Sequence, residues 1–487
     1  MTLVDTPIAT PRAYALEPSV AIVGSYPSPE GVAAGLARIS RDATPIPELV
    51  RQAVEDTTLA RRRNGNIIYE YGHSSIAEGA VFGVAVQSIP RSLSVELVAH
   101  RLASYTQLSY RYVPVEKAPE PFFLPQEFRD GRARAVFDRV VDRAWARYVE
   151  MYGRMTEYLL TSGSGSKGTE TAARRRATED ARYVLPLAQS TNLGMTANAR
   201  TWGRVISRLL SHQLSEARAL GARLLETLQP AAPSLFPDKY IHALPFPSSA
   251  LDALAARAAS LSPAAGAGKA PSLSSHGGAT LLDYDPAAEE KLVAALLFRV
   301  TDLDGARRAA LAAALSPEER AALLRDAFMG IAAHDTALRE FETISYTFEL
   351  THSEACYHQF IRHRMSTQLA QPRTAALGYT VPPLVEEAGC LAPYKEGMAV
   401  LEDAFAALGG DERASIVLGN GHNRRTLLHL NARELIELSR LRVDRHAQWD
   451  VRDRTAALVA LVAAVHPSIA AACGGRDAFK AGTLPIS

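Results

Sequence analysis

The chain has 487 residues, 47% of them hydrophobic and 22% charged, the balance of a globular protein of several domains and not of a disordered one. Its 53 Lys+Arg against 52 Asp+Glu leave a net charge of +1, which argues against a surface built to follow a nucleic-acid backbone but leaves room for a local phosphate pocket. Cys356, Cys390 and Cys473 lack CxxC spacing, no apolar run approaches the roughly 18 residues of a membrane span, and MTLVDTPIATPRAY has no signal-peptide pattern, so the expectation is a cytoplasmic protein without disulfide scaffold, zinc site, membrane or stable nucleic-acid partner.

The first polar segment opens at Gly72 with a His-x-Ser turn, His73 to Ser75. The alternation over Val81–Ser88 predicts a strand. A helix follows with Ser92 as a suitable N-cap, and it ends at His100-Arg101. A polar loop carrying Ser104, Gln107, Ser109 and Arg111 comes next. Helical patterning then runs from about Arg132 to Val184, interrupted by SGSGSKG at Ser162–Gly168, which reads as an exposed loop. ANARTWGRVISRLL (Ala197–Leu210) predicts an amphipathic helix. Residues 246–288 are rich in Ala, Ser, Pro and Gly, and Ser260–Gly278 within them reads as flexible linker.

Beyond that stretch the same order recurs: a strand over Thr343–Leu350, a helix capped by Ser353, a His363-Arg364 pair, and LNARELIELSRLR ending at Arg442. His73 aligns with His334 at an offset of 261, His100-Arg101 with His363-Arg364 at 263, and Asn198 with Asn431 at 233. Three blocks in one order indicate two diverged copies of a single unit, over residues 1–245 and 289–487, joined by the 246–288 linker. The expected fold class is α/β of the α+β type, helix-rich with a β-sheet in each copy. No GxGxxG follows a strand and no P-loop occurs, so a doubly wound nucleotide fold is not expected.

The densest polar constellation is QFIRHRMSTQLAQPR, Gln359–Arg373. Arg362, His363 and Arg364 are successive, so on a helix they point about 100° apart and serve different partners. Arginine offers fixed bidentate donors to phosphate, and the first-copy loop adds hydroxyl and amide donors suited to phosphate and a pyrimidine edge. A helix C-terminus decorated with cations against its dipole is the plainer reading of the same cluster. Arg61-Arg62-Arg63 and Arg174-Arg175-Arg176 read as solvated faces.

AHRLASYTQLSYRY (Ala99–Tyr112), RHR at Arg362–Arg364, HxSxxE at His73–Glu78 and NARELIELSRLRVDRHAQWDVR (Asn431–Arg452) together resemble the flavin-dependent thymidylate synthase family, across most of both copies. The resemblance implies reductive methylation of dUMP to dTMP with FAD as cofactor, methylenetetrahydrofolate and NADPH as co-substrates, and no cysteine nucleophile. It also implies an assembly in which several subunits meet at the nucleotide, here a homodimer acting as a pseudo-tetramer. FAD contacts would come from His73, Ser75, Glu78, His100, Arg101, Arg362, His363, Arg364, Asn198, Arg200, Asn431 and Arg433. The dUMP set would be Gln359, Arg362 and Arg442 from the second copy with Gln107, Ser109, Arg111 and Arg182 from the first, and Arg442 would stabilise charge on the uracil as the catalytic residue.

Each copy departs from the family where the other conforms. The first has Glu96, Ala99 and Leu209 or Leu210 where the second has Gln359, Arg362 and Arg442. The second has a loop shorter by one residue between Arg364 and Arg373, and its counterpart of Glu78 falls on Arg339, beside Glu340. One competent composite site between the repeats and one degenerate site is the expectation. The other reading these departures motivate is a degenerate or repurposed relative that binds FAD or a nucleotide, or methylates a different pyrimidine.

Overall fold

The computed structural model describes residues 13–113, 115, 120–162, 170–245, 247–260, 275–332 and 334–480. Residues 163–168 of the loop and residues 261–274 of the linker expected above lie outside the described residues. The chain divides into two units, one of Met1–Gly266 with Pro383–Gly419, the other of Ala267–Pro382 with Asn420–Ser487. No helix among the described residues is long and apolar enough to cross a membrane.

The strands of the first unit are β1 (Tyr14–Ala15), β2 (Ser19–Ser25), β3 (Val81–Pro90), β4 (Ser104–Gln107), β5 (Phe122–Phe123) and β6 (Ser190–Asn198). β1 and β5 pair in parallel, while β2-β3-β6-β4 form an antiparallel sheet in that order. Alternation turns Phe82, Val84 and Val86 of β3 inward. They meet Trp202, Val205, Ile206 and Leu209, whose i, i+3, i+4, i+7 spacing makes one apolar stripe on the helix Ala199–Leu210. Trp202 lies in this core with its indole N–H on the Phe82 carbonyl at 3.2 Å.

β3 outruns its expected end because Ser88, at φ 57°, forms a bulge and donates its N–H to Asn192 Oδ1 at 2.9 Å. The next helix, Arg91–Val98, then starts directly behind Pro90, so Ser92 sits inside its first turn and is not the N-cap. The polar loop after His100-Arg101 is partly ordered as β4, an edge strand on β6.

A helical layer completes this unit. Gly131–Thr161 packs against Glu170–Ala181 and, from the second repeat, Leu391–Ala407. The Leu187 and Ala188 amides donate to the Leu418 and Ile416 carbonyls, each at 2.8 Å. Gly397 lets Leu391–Ala407 close on the turn Arg182–Val184, since a methyl group there would overlap Val184 Cγ2.

The second unit carries β7 (Ser275–His276), β8 (Ala279–Tyr284), β9 (Ser345–Ser353), β10 (Thr367–Ala370) and β11 (Asn423–Asn431), ordered β10-β11-β9-β8-β7, all antiparallel. Tyr346, Phe348 and Leu350 pack with Leu428, Leu430, Leu435, Leu438, Leu458 and Leu461. Ser353 is the N-cap of Glu354–Phe360 as expected, accepting from the Cys356 amide at 3.0 Å.

The two sheets share one register. Val81 lies opposite Asn198 in the first, and Ser345 opposite Asn431 in the second. β2 beside β3 therefore corresponds to β8 beside β9. β8 and the helix Ser248–Ser260 both fall inside the stretch read as linker, so the second sheet begins within residues 246–288.

Candidate active site

Asn198 and Asn431 each close a strand and open a helix. Their Oδ1 atoms accept from the Thr201 and Glu434 amides at 2.9 Å, so both are N-caps first of all. The third residue of each Asn-Ala-Arg stands in the first turn of the capped helix. Arg200 pairs with Glu78. Arg433 pairs with Glu342 at 2.6 Å and also donates to the Ala337 carbonyl and Thr336 Oγ1.

Glu342 is thus the counterpart of Glu78, not Arg339 or Glu340. The shared register confirms it, because the Ala80 and Ile344 carbonyls receive the equivalent Ala199 and Ala432 amides. The loop between His334 and Glu342 is longer than that between His73 and Glu78, which hides the correspondence in the sequence. Glu340 is instead engaged by Arg299 at 3.2 Å.

In the first unit, His73 and Ser75 are exposed and line a cavity of about 700 Å³ with Arg38, Arg41, Arg63, Asn64 and Tyr71. Of the run read as a solvated face, Arg63 belongs to this cavity and Arg61 pairs with buried Glu30 at 2.7 Å. His100, Ser74 and Arg200 line a second cavity of about 640 Å³ with Arg204, Arg208 and the stacked rings of Tyr69 and Tyr240. Burial, and then the Arg208 charge, push the His100 imidazole down to about 4, so it is neutral at physiological pH. Arg101 is exposed on the turn that follows. Guanidinium and hydroxyl donors beside aromatic faces are a donor set that fits a dinucleotide such as FAD.

Arg111 and Arg182 converge on Glu179, Arg111 through Oε2 at 2.5 Å and Arg182 through the backbone carbonyl at 3.2 Å. Arg182 is almost fully buried, and that desolvation lowers its pKa. Ser109 is half-buried and its carbonyl accepts from the Tyr112 and Val113 amides. Gln107 reaches Ser94 Oγ at 3.0 Å and Thr191 Oγ1 at 3.4 Å. Between these lies Tyr110, whose hydroxyl donates to the Ser190 carbonyl and whose burial raises it to about 12.

In the second unit, Gln359, His363 and Arg442 form one cluster. Arg442 Nε donates to His363 Nε2 at 2.9 Å, and its terminal nitrogen lies 3.4 Å from the Gln359 carbonyl. Gln359 donates to Gln448, which is fully buried. His363 is buried and its other nitrogen faces Glu434 Oε1 at 3.2 Å; burial lowers its pKa, with Arg442 acting in the same direction and Glu434 against it. Arg362 is exposed and Arg364 half-buried on the same turn. Asn431, Arg433 and Glu434 line a cavity of about 410 Å³ with Met365, Glu437 and Arg440. Glu434, Glu179, Gln448, Arg38 and Arg41 are not among the site residues expected from the sequence, and Arg63 stands there only as part of a solvated face. Glu434, three residues after a capping Asn, and Gln448 both lie inside the Asn431–Arg452 block, which is the signal that could have found them.

The second repeat's own loop is occupied internally. Arg373 donates to buried Glu354 at 3.2 Å, and Arg424 lies 3.5 Å from the same oxygen. By register Glu354 stands where the first repeat has Arg91, each being the first residue after its strand.

The chain matches the family described as thymidylate synthase complementing protein over residues 21–234 and again over 280–468. It is 30% identical over 212 residues to the flavin-dependent thymidylate synthase of Clostridium tetani, covering 43% of this chain and 82% of that protein. The UPF0159 protein Ta1429 of Thermoplasma acidophilum is 25% identical over 441 residues, 83% of this chain and 86% of its own length. A solved structure of the flavin-dependent thymidylate synthase from Helicobacter pylori, complexed with FAD and dUMP, aligns with a TM-score of 0.31 and 18% identity, covering 45% of this chain and 98% of that one. Matched once by each repeat, the chain belongs to the flavin-dependent thymidylate synthase family in a tandem arrangement.

Proposed function

We propose that the chain is an FAD-dependent thymidylate synthase that methylates dUMP to dTMP, taking the carbon from methylenetetrahydrofolate and the electrons from NADPH. The observation that carries this reading is the Gln359–His363–Arg442 cluster, a cation fixed in direction at the end of a buried hydrogen-bond chain. A guanidinium so held stabilises negative charge developing on a pyrimidine ring without reorganising during the reaction. Ser109, Arg111 and Arg182 would take the phosphate by charge-assisted hydrogen bonds, with Gln107 beside them. Each repeat keeps the nucleotide-binding residues the other lacks, which supports one complete set per chain, completed in a homodimer.

FAD, when bound, would supply the redox chemistry. Arg38, Arg41, Arg63, His73 and Ser75 would hold its charged and polar parts, and Arg200 and Arg433 would be steadied for contact by Glu78 and Glu342. Neutral His100 would donate or accept a hydrogen bond there without adding charge.

The test is the visible spectrum of the FAD-loaded protein while dUMP is added. A flavin band perturbed with saturation at one dUMP per chain supports the reading, and an indifferent band overturns it. Arg442→Ala should lower kcat by roughly 100-fold or more, the scale of losing one transition-state donor. Normal turnover in that variant would sink the assignment.

A further inference from the structure

We infer that Glu434 and His363 are positioning residues that set the plane of the Arg442 guanidinium, an inference resting on the dUMP reading above. Arg442 Nε–H is a donor only, so His363 Nε2 at 2.9 Å must be the acceptor. The neutral ring then carries its proton on Nδ1, which faces Glu434 Oε1 at 3.2 Å. A carboxylate thereby selects the tautomer, the tautomer receives the arginine, and the guanidinium loses its freedom to rotate about Nε. Burial of His363 keeps the ring in the neutral form that accepts.

The carboxylate is itself fixed at its base. Glu434 is the third residue of the helix Ala432–Arg442 and its amide is held by Asn431 Oδ1 at 2.9 Å. Carboxylate and arginine thus stand on one helix, with the histidine bridging them from the end of Glu354–Phe360. Glu437, one turn along, is engaged by Arg440.

The first repeat serves as an internal control. Asn198 and Asn431 cap equivalent helices, so Thr201 stands where Glu434 does and Leu209 where Arg442 does. His100 is retained at the place of His363 without either partner, and Leu209 is part of the apolar core. Glu434 and Arg442 are present together in one repeat and absent together in the other, as expected of groups that act through one another.

The experiment compares Glu434→Gln and Glu434→Leu in the FAD-loaded full chain, with kinetics on dUMP and ¹⁵N spectra of labelled histidine, His363 being identified by its loss in His363→Asn. The unmodified protein should show a pyrrole-like Nδ1 and a pyridine-like Nε2 for His363. Glu434→Leu should lose that tautomer preference and roughly 10- to 100-fold in kcat/KM, the worth of a hydrogen bond to a charged group. Glu434→Gln keeps an acceptor toward Nδ1 and should stay within a few-fold of the unmodified protein. A protonated Nε2 in the unmodified protein overturns the inference, even where Glu434→Leu does not fold. Equal loss in both variants, or none in Glu434→Leu, overturns it as well. Failure of the unmodified protein to turn over dUMP, with the tautomer as expected, overturns the dUMP reading and leaves the positioning chain standing.

Discussion

His100 and Glu216 titrate against the fold from opposite sides. Burial lowers His100 to about 4 from 6.5, so the folded chain refuses a proton that the unfolded chain accepts below its ordinary pKa. The stability tied to it is full above pH 6.5 and is lost as pH falls toward 4. Glu216 is raised by burial to about 7 from 4.5, so its contribution is present below pH 4.5 and is lost as pH rises to 7. Glu216 lies within hydrogen-bond range of the Ser215 hydroxyl and is almost fully buried. Glu216→Gln keeps the shape and removes the ionisation. In denaturant titrations it should gain on the order of 2–3 kcal/mol at pH 8 and almost nothing at pH 4.5. An equal gain at both pH values would mean that packing, not charge, was changed.

Among site residues, those set in a spaced motif were legible and those acting singly were not. Gln359, His363 and Arg442 follow from the QxxRHR and LR spacings, and they do meet in one cluster. Glu179 belongs to no motif, because a lone carboxylate acquires meaning only from what the fold lays beside it, and Gln448, although inside the Asn431–Arg452 block, shows its role only where the fold sets it against Gln359. Glu342 was hidden by an insertion, which an alignment of two short polar segments cannot place but a shared strand register can.

At the scale of elements, alternation and capping carried most of the information. β3 and β9 were readable because apolar residues recur at every second place, and Ser353 because a hydroxyl before a helix satisfies its first amides. What escaped were the Ser88 bulge, which moves a helix start, and β8, whose short alternation is flanked by Ala, Ser and Gly. Asn431 allows capping to be separated from any cofactor role. Asn431→Ala should cost about 1 kcal/mol of stability, while Asn431→Asp preserves the acceptor and should cost much less. If Asn431→Asp is as unstable as Asn431→Ala in chemical denaturation, the cap is not what the side chain supplies. Gly397→Ala should destabilise by about 1–3 kcal/mol through overpacking against Val184, whose branched, fully buried side chain stands where the new methyl group would go.

At the scale of the whole molecule, the two compact units do not coincide with the two repeats of the sequence. Pro383–Gly419 belongs to the second repeat by sequence and to the first unit by contact. Tyr394, Met398 and Leu401 are fully buried, and the Leu187 and Ala188 amides find their acceptors on Leu418 and Ile416. Cutting the chain at its linker would strip those partners away, leaving orphaned amides and an apolar face on Gly131–Thr161. Residues 1–266 expressed alone should therefore aggregate or bind a hydrophobic dye strongly. Co-expression with residues 267–487 should restore a soluble pair that purifies together. A fusion of residues 1–266 to 383–419 should also be soluble and unfold cooperatively, because it contains every segment of that unit. A cooperative, dye-silent fragment 1–266 on its own would show that the exchanged helix is an accessory to the first unit and not part of its core.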